Sequence, residues 1–355
     1  MRYIEGNEQG SSQSIQGPGD YPETKIEDKA SKMTADAAAG SQRITMNMLT
    51  PSDPPHTWRG KIADSGHRRF LSYGMDFDTR AIMLATDIQP GWDDVVKAGW
   101  VKNKERITAE LVRDFGERDQ EMKIANFIAI ESAPFSILSY HNALFHQVRR
   151  SFVIGSYYAA LVSACALGER ILNHLILDLR EQFRATPEYR KMARKESFDN
   201  WKAAVATLAA WDILLPVTAV EFSALAELRH RSIHFNPGTY TNLRDDALKA
   251  VLHLRKIIEV QFGSFTDAPW FIKGTSGHAF IARDWEQKPF VKTFVLPTCQ
   301  FMGPLFAIKF DAQHRAGFYD KADYGDGDWT DEEFAENYNN RRPEDVVKPE
   351  AYKPE

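Results

Sequence analysis

The stretch Tyr157–Phe183, YYAALVSACALGERILNHLILDLREQF, places Leu161, Cys165, Gly168, Leu172, Leu175 and Leu179 at steps of three and four residues. In an α-helix such positions fall on one stripe, so the stretch predicts a long helix whose stripe faces a core. Segments of the same period lie on both sides. Phe135 to Phe152 precedes it. After a polar turn from Ala185 to Glu196, a third segment runs from Phe198 to about Leu214 and ends near Pro216, since proline's ring and missing N–H disfavour helix interiors. A fourth runs from Thr218 to about Phe235. The fifth opens at Asn242, with Asp245 three residues on to favour the start, and carries Ala247, Val251, Leu254, Ile258 and Phe262 before Gly263. Residues 134–263 are therefore predicted to form an antiparallel helical bundle, and the fold class is mainly α.

The flanks read differently. Residues 1–57 are polar, with few large apolar groups to offset the entropy of ordering, and predict a flexible arm. Residues 58–133 read as a mixed α/β region: Arg69–Tyr73 and Ala81–Ala85 are strand-like, whereas Asp93–Lys97 and Ile107–Phe115 have helical spacing. Across 264–319 the short apolar runs Trp270–Ile272, Ala279–Ala282, Phe290–Leu296 and Leu305–Phe310 predict a strand-rich region. Residues 320–355 are acidic, with Asp-Gly-Asp at 326–328, and predict a surface tail.

Composition limits the function classes. With 355 residues, 43% of them hydrophobic, the chain reads as globular, and a net charge of −5 argues against a protein that coats nucleic acid over its whole surface. Any contact with RNA must be local. The two cysteines, Cys165 and Cys299, form no CxxC and suit a reducing compartment. Neither the N-terminus nor the uncharged stretch Phe152–Gly168, too short for a membrane span, predicts export or insertion, so cytoplasm is the default and no membrane partner is implied.

The candidate chemistry closes the fourth helix. Glu227-Leu-Arg-His-Arg-Ser-Ile-His-Phe235 ends at Asn236-Pro237-Gly238, with Arg229 and His234 five positions apart. Cleaving RNA through its own 2'-hydroxyl needs a base, a cation for the crowded phosphorane and an acid for the leaving oxygen. Imidazole titrates near neutrality, which suits His234 to proton transfer, and the planar guanidinium of Arg229 suits phosphate. On an ideal helix the two lie about 140° apart, so either the helix end frays or a partner subunit supplies one group. Alternatively, Arg229 is structural and His234 simply favours the helix dipole. Arg229 flanks the stripe Phe222, Leu225 and Leu228 and needs an acceptor, for which Glu169, with Asn173 four residues on, is the candidate. A surface or intrahelical pair is the alternative for Glu169. His230 and His234 have a zinc-compatible spacing, but no Glu follows His230 and no third ligand is evident, so neither metal nor cofactor is expected. Arg231 and the cluster Arg190, Lys191, Arg194 and Lys195 could track a phosphate backbone, or be solvated helix ends.

An arginine, a polar residue, three variable residues and a histidine near the end of a bundle helix resembles the HEPN family. The resemblance spans about Phe135 to Phe262, with Ser156–Leu179 in the place of the family's other main core helix. It implies that Arg229 and His234 are the catalytic pair with His230 as polar companion, and that two copies build a composite site in a homodimer. The implied activity is metal-independent endoribonuclease action on RNA. A toxin–antitoxin or antiviral defence role, restrained by an inhibitory or regulatory protein partner, follows by the same analogy. The alternative is a non-catalytic helical module that binds RNA, a nucleotide or a protein.

Overall fold

In the computed structural model the apolar stripe of Tyr157–Phe183 is buried, with Leu161, Cys165, Ile171, Leu172, Leu175 and Leu179 at the centre of the main core. The structure describes residues 41–43, 58–62, 64–73, 76–198, 200–233, 238–277, 279–310 and 316–349. The predicted arm, residues 1–57, lies outside them except for 41–43, and so does His234.

Strands β1 (Ser41–Arg43), β2 (Arg69–Ser72) and β3 (Asp76–Asp78) precede helices α1 (Arg80–Ala85), α2 (Asp94–Phe115) and α3 (Gln120–Ala129). Strand β4 (Ala133–Ser136) leads into α4 (Ser139–Val153), α5 (Tyr157–Leu179), α6 (Pro187–Met192), α7 (Trp201–Ala210), α8 (Pro216–Ile233), the short α9 (Gly238–Thr241) and α10 (Leu243–Phe262). The chain continues through β5 (Ala279–Phe280), β6 (Cys299–Met302), β7 (Ala307–Phe310) and β8 (Ala316–Lys321) to α11 (Asp331–Asn339). The fold is mainly helical, with short antiparallel strands in the C-terminal region.

α5 packs against α4, α7, α8 and α10. Gly168 makes the close approach possible: a Cβ there would stand 2.7 Å from the Trp201 ring and 2.8 Å from Leu225. By length and composition the helical stretch Tyr157–Phe183 could cross a membrane, but its apolar stripe is covered by the other helices.

Local chemistry explains where the elements differ from the reading of the sequence. Ala81–Ala85 is helical rather than extended, and the two helical patches of 93–115 are one helix, opened by the Asp93 carboxylate accepting from the Val95 N–H at 2.9 Å. Phe135 belongs to β4, and its helix starts at Ser139. The polar turn contains α6, begun by Thr186 and Pro187. Pro216 starts α8 instead of stopping α7, since the first helical position needs no N–H donor. Phe290–Leu296 is also helical: Phe290, Val291, Phe294 and Val295 are buried at a four-residue period in a wide turn, Val291–Val295. A short run that is apolar on all sides carries no period of two to betray the difference.

β2 divides two cores. It pairs antiparallel with β5 and β6, and its alternating side chains send Phe70 into the main core and Leu71 into a smaller one with Phe280, Met302 and Phe334. The segment predicted as a surface tail helps build that smaller core. Thr330 and Glu333 form a reciprocal capping box for α11, which buries Phe334, Ala335 and Tyr338. Around the start of β2, arginines meet carboxylates distant in sequence: Arg59 binds Glu286, Arg69 binds Asp331, and the buried Arg68 binds both Asp64 and Asp320. Asp320 also accepts from the Tyr324 hydroxyl at 2.5 Å and from the N–H groups of Gly303 and Lys321. Residues 40–355 form one unit, so the segments delimited in the sequence mark changes of structure within it.

Candidate functional site

The last turns of α8 carry Phe222, Leu225 and Leu228 into the core, which brings the neighbouring Arg229 against α5. There Arg229 Nη2 lies 2.8 Å from Glu169 Oε2, with both side chains a little over one-quarter exposed, at 28% and 27%. The same carboxylate oxygen accepts from Trp201 Nε1 at 3.1 Å, and the Arg229 guanidinium carbon sits 5.8 Å from the centre of the Trp201 ring. Three helices thus fix one guanidinium: α8 carries it, α5 supplies the carboxylate, and α7 the indole. The Glu169 contact is interhelical, neither a surface pair nor one within α5. Among the described residues the other Arg229 donors, Nε and Nη1, make no hydrogen bond, so they are available to a ligand.

Asn173 acts as a bracket. Its Nδ2 donates to the Glu169 carbonyl at 2.8 Å, and its Oδ1 accepts from the Phe198 N–H at 2.7 Å. That bond draws the α6–α7 connection to α5, and a cleft of about 450 Å³ results, lined by Glu169, Arg170, Asn173, Glu196, Ser197 and Arg229. Arg190, Lys191, Arg194 and Lys195 are all exposed on the segment leading into its rim, which Arg180 holds by donating to the carbonyls of Met192 and Lys195 at 3.1 and 2.5 Å.

The remaining predicted residues are placed elsewhere. His230 is exposed, and Arg231 turns toward α10, 3.4 Å from Asp246; neither lines the cleft. Trp201, Arg170, Glu196 and Ser197 were not singled out in the sequence. Arg170 directly follows Glu169 and precedes Asn173 by three positions, a spacing that could have found it. Beneath Arg229, burial pushes the Cys165 thiol up to about 12 against the opposing effects of Ser232 and Arg229, so it stays protonated at neutral pH and is no nucleophile. Among the described residues no group of three or more His, Cys, Asp or Glu is placed to hold a metal ion.

His141 of α4 is buried, its ring edge-on to His174 at 5.4 Å and to Phe262 at 5.8 Å. Burial first, and then the charge of Arg170, lowers its pKa from 6.5 to about 4. A histidine kept neutral in the fold leaves stability intact above the unfolded value, and stability falls as the pH drops from 6.5 toward 4 while the unfolded chain alone takes up the proton. The loss is about 3 kcal/mol. Urea unfolding at pH 7 and pH ~4 is expected to show a smaller acid penalty in His141→Gln than in wild type. Equal penalties would contradict the assignment.

Comparison with family models, curated proteins and solved structures found no match.

Proposed function

We propose that the protein is a cytoplasmic, metal-independent endoribonuclease of HEPN type, acting through Arg229 and His234. The observation that carries this reading is the anchoring of Arg229: one of its donors is held by Glu169, the others make no hydrogen bond among the described residues, and its side chain lines a cleft whose residues Glu196 and Ser197 directly follow a segment carrying four exposed cations. A fixed guanidinium with free donors suits a phosphorane, because the charge is already oriented when the transition state forms. His234, five positions on, supplies the proton transfer, and a second copy of the chain completes the site. His230 is the polar companion. A toxin or antiviral defence role, with a restraining protein partner, belongs to the same proposal. The ion pair to Glu169 also favours a second reading, a module that binds RNA or a nucleotide without cleaving it.

Incubating single-stranded RNA with the purified full chain in EDTA tests the proposal. The expected products carry 2',3'-cyclic phosphate and 5'-hydroxyl ends, as attack by the 2'-oxygen requires. Binding without cleavage would favour the second reading, and neither binding nor cleavage would sink both.

A further inference from the structure

Arg170 and Arg229 line the same cleft from α5 and α8, and their circumstances are opposite. Arg229 is bound by Glu169 and packed beside Trp201. Arg170 is exposed and, among the described residues, has neither a hydrogen bond nor an ion pair. A further cleft of about 500 Å³ also holds two arginines, but there Arg80 is bound by Asp78 and Asp114, and Arg149 by the carbonyls of Ile130 and Glu131. Only the cleft beside α8, of these two, offers an uncommitted guanidinium. Its own charges cancel, Arg170 and Arg229 against Glu169 and Glu196, so the preference for an anion comes from the exposed Arg190, Lys191, Arg194 and Lys195 on the segment that leads into Glu196.

We propose that Arg170 is a phosphate-binding residue of this cleft, the second cation beside Arg229 and the one that takes hold of the incoming backbone. Resting on the reading of the cleft as an RNA site, this adds a residue to it. Arg170 presents a planar fork with every donor free, whereas Arg229 has already spent one. The division of labour follows: Arg170 contributes to binding in the ground state, and Arg229, held rigidly, to the charge that develops later.

The test uses the full chain and two probes, inorganic pyrophosphate by calorimetry and a fluorescein-labelled single-stranded RNA by anisotropy at several salt concentrations. Arg170→Gln is expected to weaken both by about tenfold, and to lower the salt slope of RNA binding by about one. Arg118→Gln, at a side chain 93% exposed and away from the cleft, is expected to change neither. Pyrophosphate and RNA binding within about twofold of wild type in Arg170→Gln would overturn the assignment. So would a wild type that binds neither probe. Unchanged binding of both probes in Arg170→Gln together with RNA cleavage by the wild type removes Arg170 and leaves the nuclease reading standing. Arg170-dependent binding of both probes with no cleavage keeps Arg170 and sinks the nuclease.

Discussion

Arg68→Ala is expected to cost about 3–5 kcal/mol of folding free energy in urea unfolding at neutral pH. The side chain is only 2% exposed and holds two carboxylates, Asp64 and Asp320, that are themselves 4% and 0% exposed. Removing the cation leaves both carboxylates buried and facing a void, and neither can recover water without opening the junction of β2 and β8. Tyr324 and the N–H groups of Gly303 and Lys321 still donate to Asp320, which caps the loss below that of an isolated buried charge. Asp320→Asn keeps the shape, removes one charge and is expected to cost less than Arg68→Ala. A loss under about 1 kcal/mol for Arg68→Ala would place the network among weak surface pairs and contradict its burial.

His234→Ala and Arg229→Ala are each expected to lower RNA cleavage in EDTA by about a hundred- to ten-thousand-fold. The arginine variant carries a second consequence, because Glu169 loses its ion-pair partner and retains only the indole of Trp201. Arg229→Lys separates the effects: it keeps a positive charge near Glu169 but loses the planar fork, so folding is expected to survive while cleavage falls. Equal residual cleavage in wild type, His234→Ala and Arg229→Ala would identify a contaminating nuclease and end the proposal.

What could be read from the residues themselves followed from periodicity. The stripe from Leu161 to Leu179 was legible because an amphipathic helix writes its burial into spacing, and the start at Asn242 from the residue types there, although the Asn242 side chain makes no capping hydrogen bond. The Glu169 partner of Arg229 was legible for a related reason, since a charge beside a buried stripe requires an acceptor on the helix opposite. Trp201 was not, because one indole among eight tryptophans carries no sign of which side its N–H will face. The arginine network at β2 was hidden more deeply. Arg68 and Asp320 are 252 positions apart, and no local pattern links two charges across such a distance. Phe290–Leu296 misled because apolar residues on every side satisfy strand and helix alike.

The span between those charges has a consequence for synthesis. A ribosome releases Arg68 and Arg69 long before Asp320 and Asp331, so throughout translation both guanidiniums remain in water while the helices between them can already associate. The junction closes only when the last strand and helix have emerged. A nascent chain stalled before residue 316 therefore holds a nearly finished bundle with β5 and β6 at hand for β2 but without Asp320 and Asp331, and it is this species, with Arg68 and Arg69 short of their distant carboxylates, that a chaperone would meet.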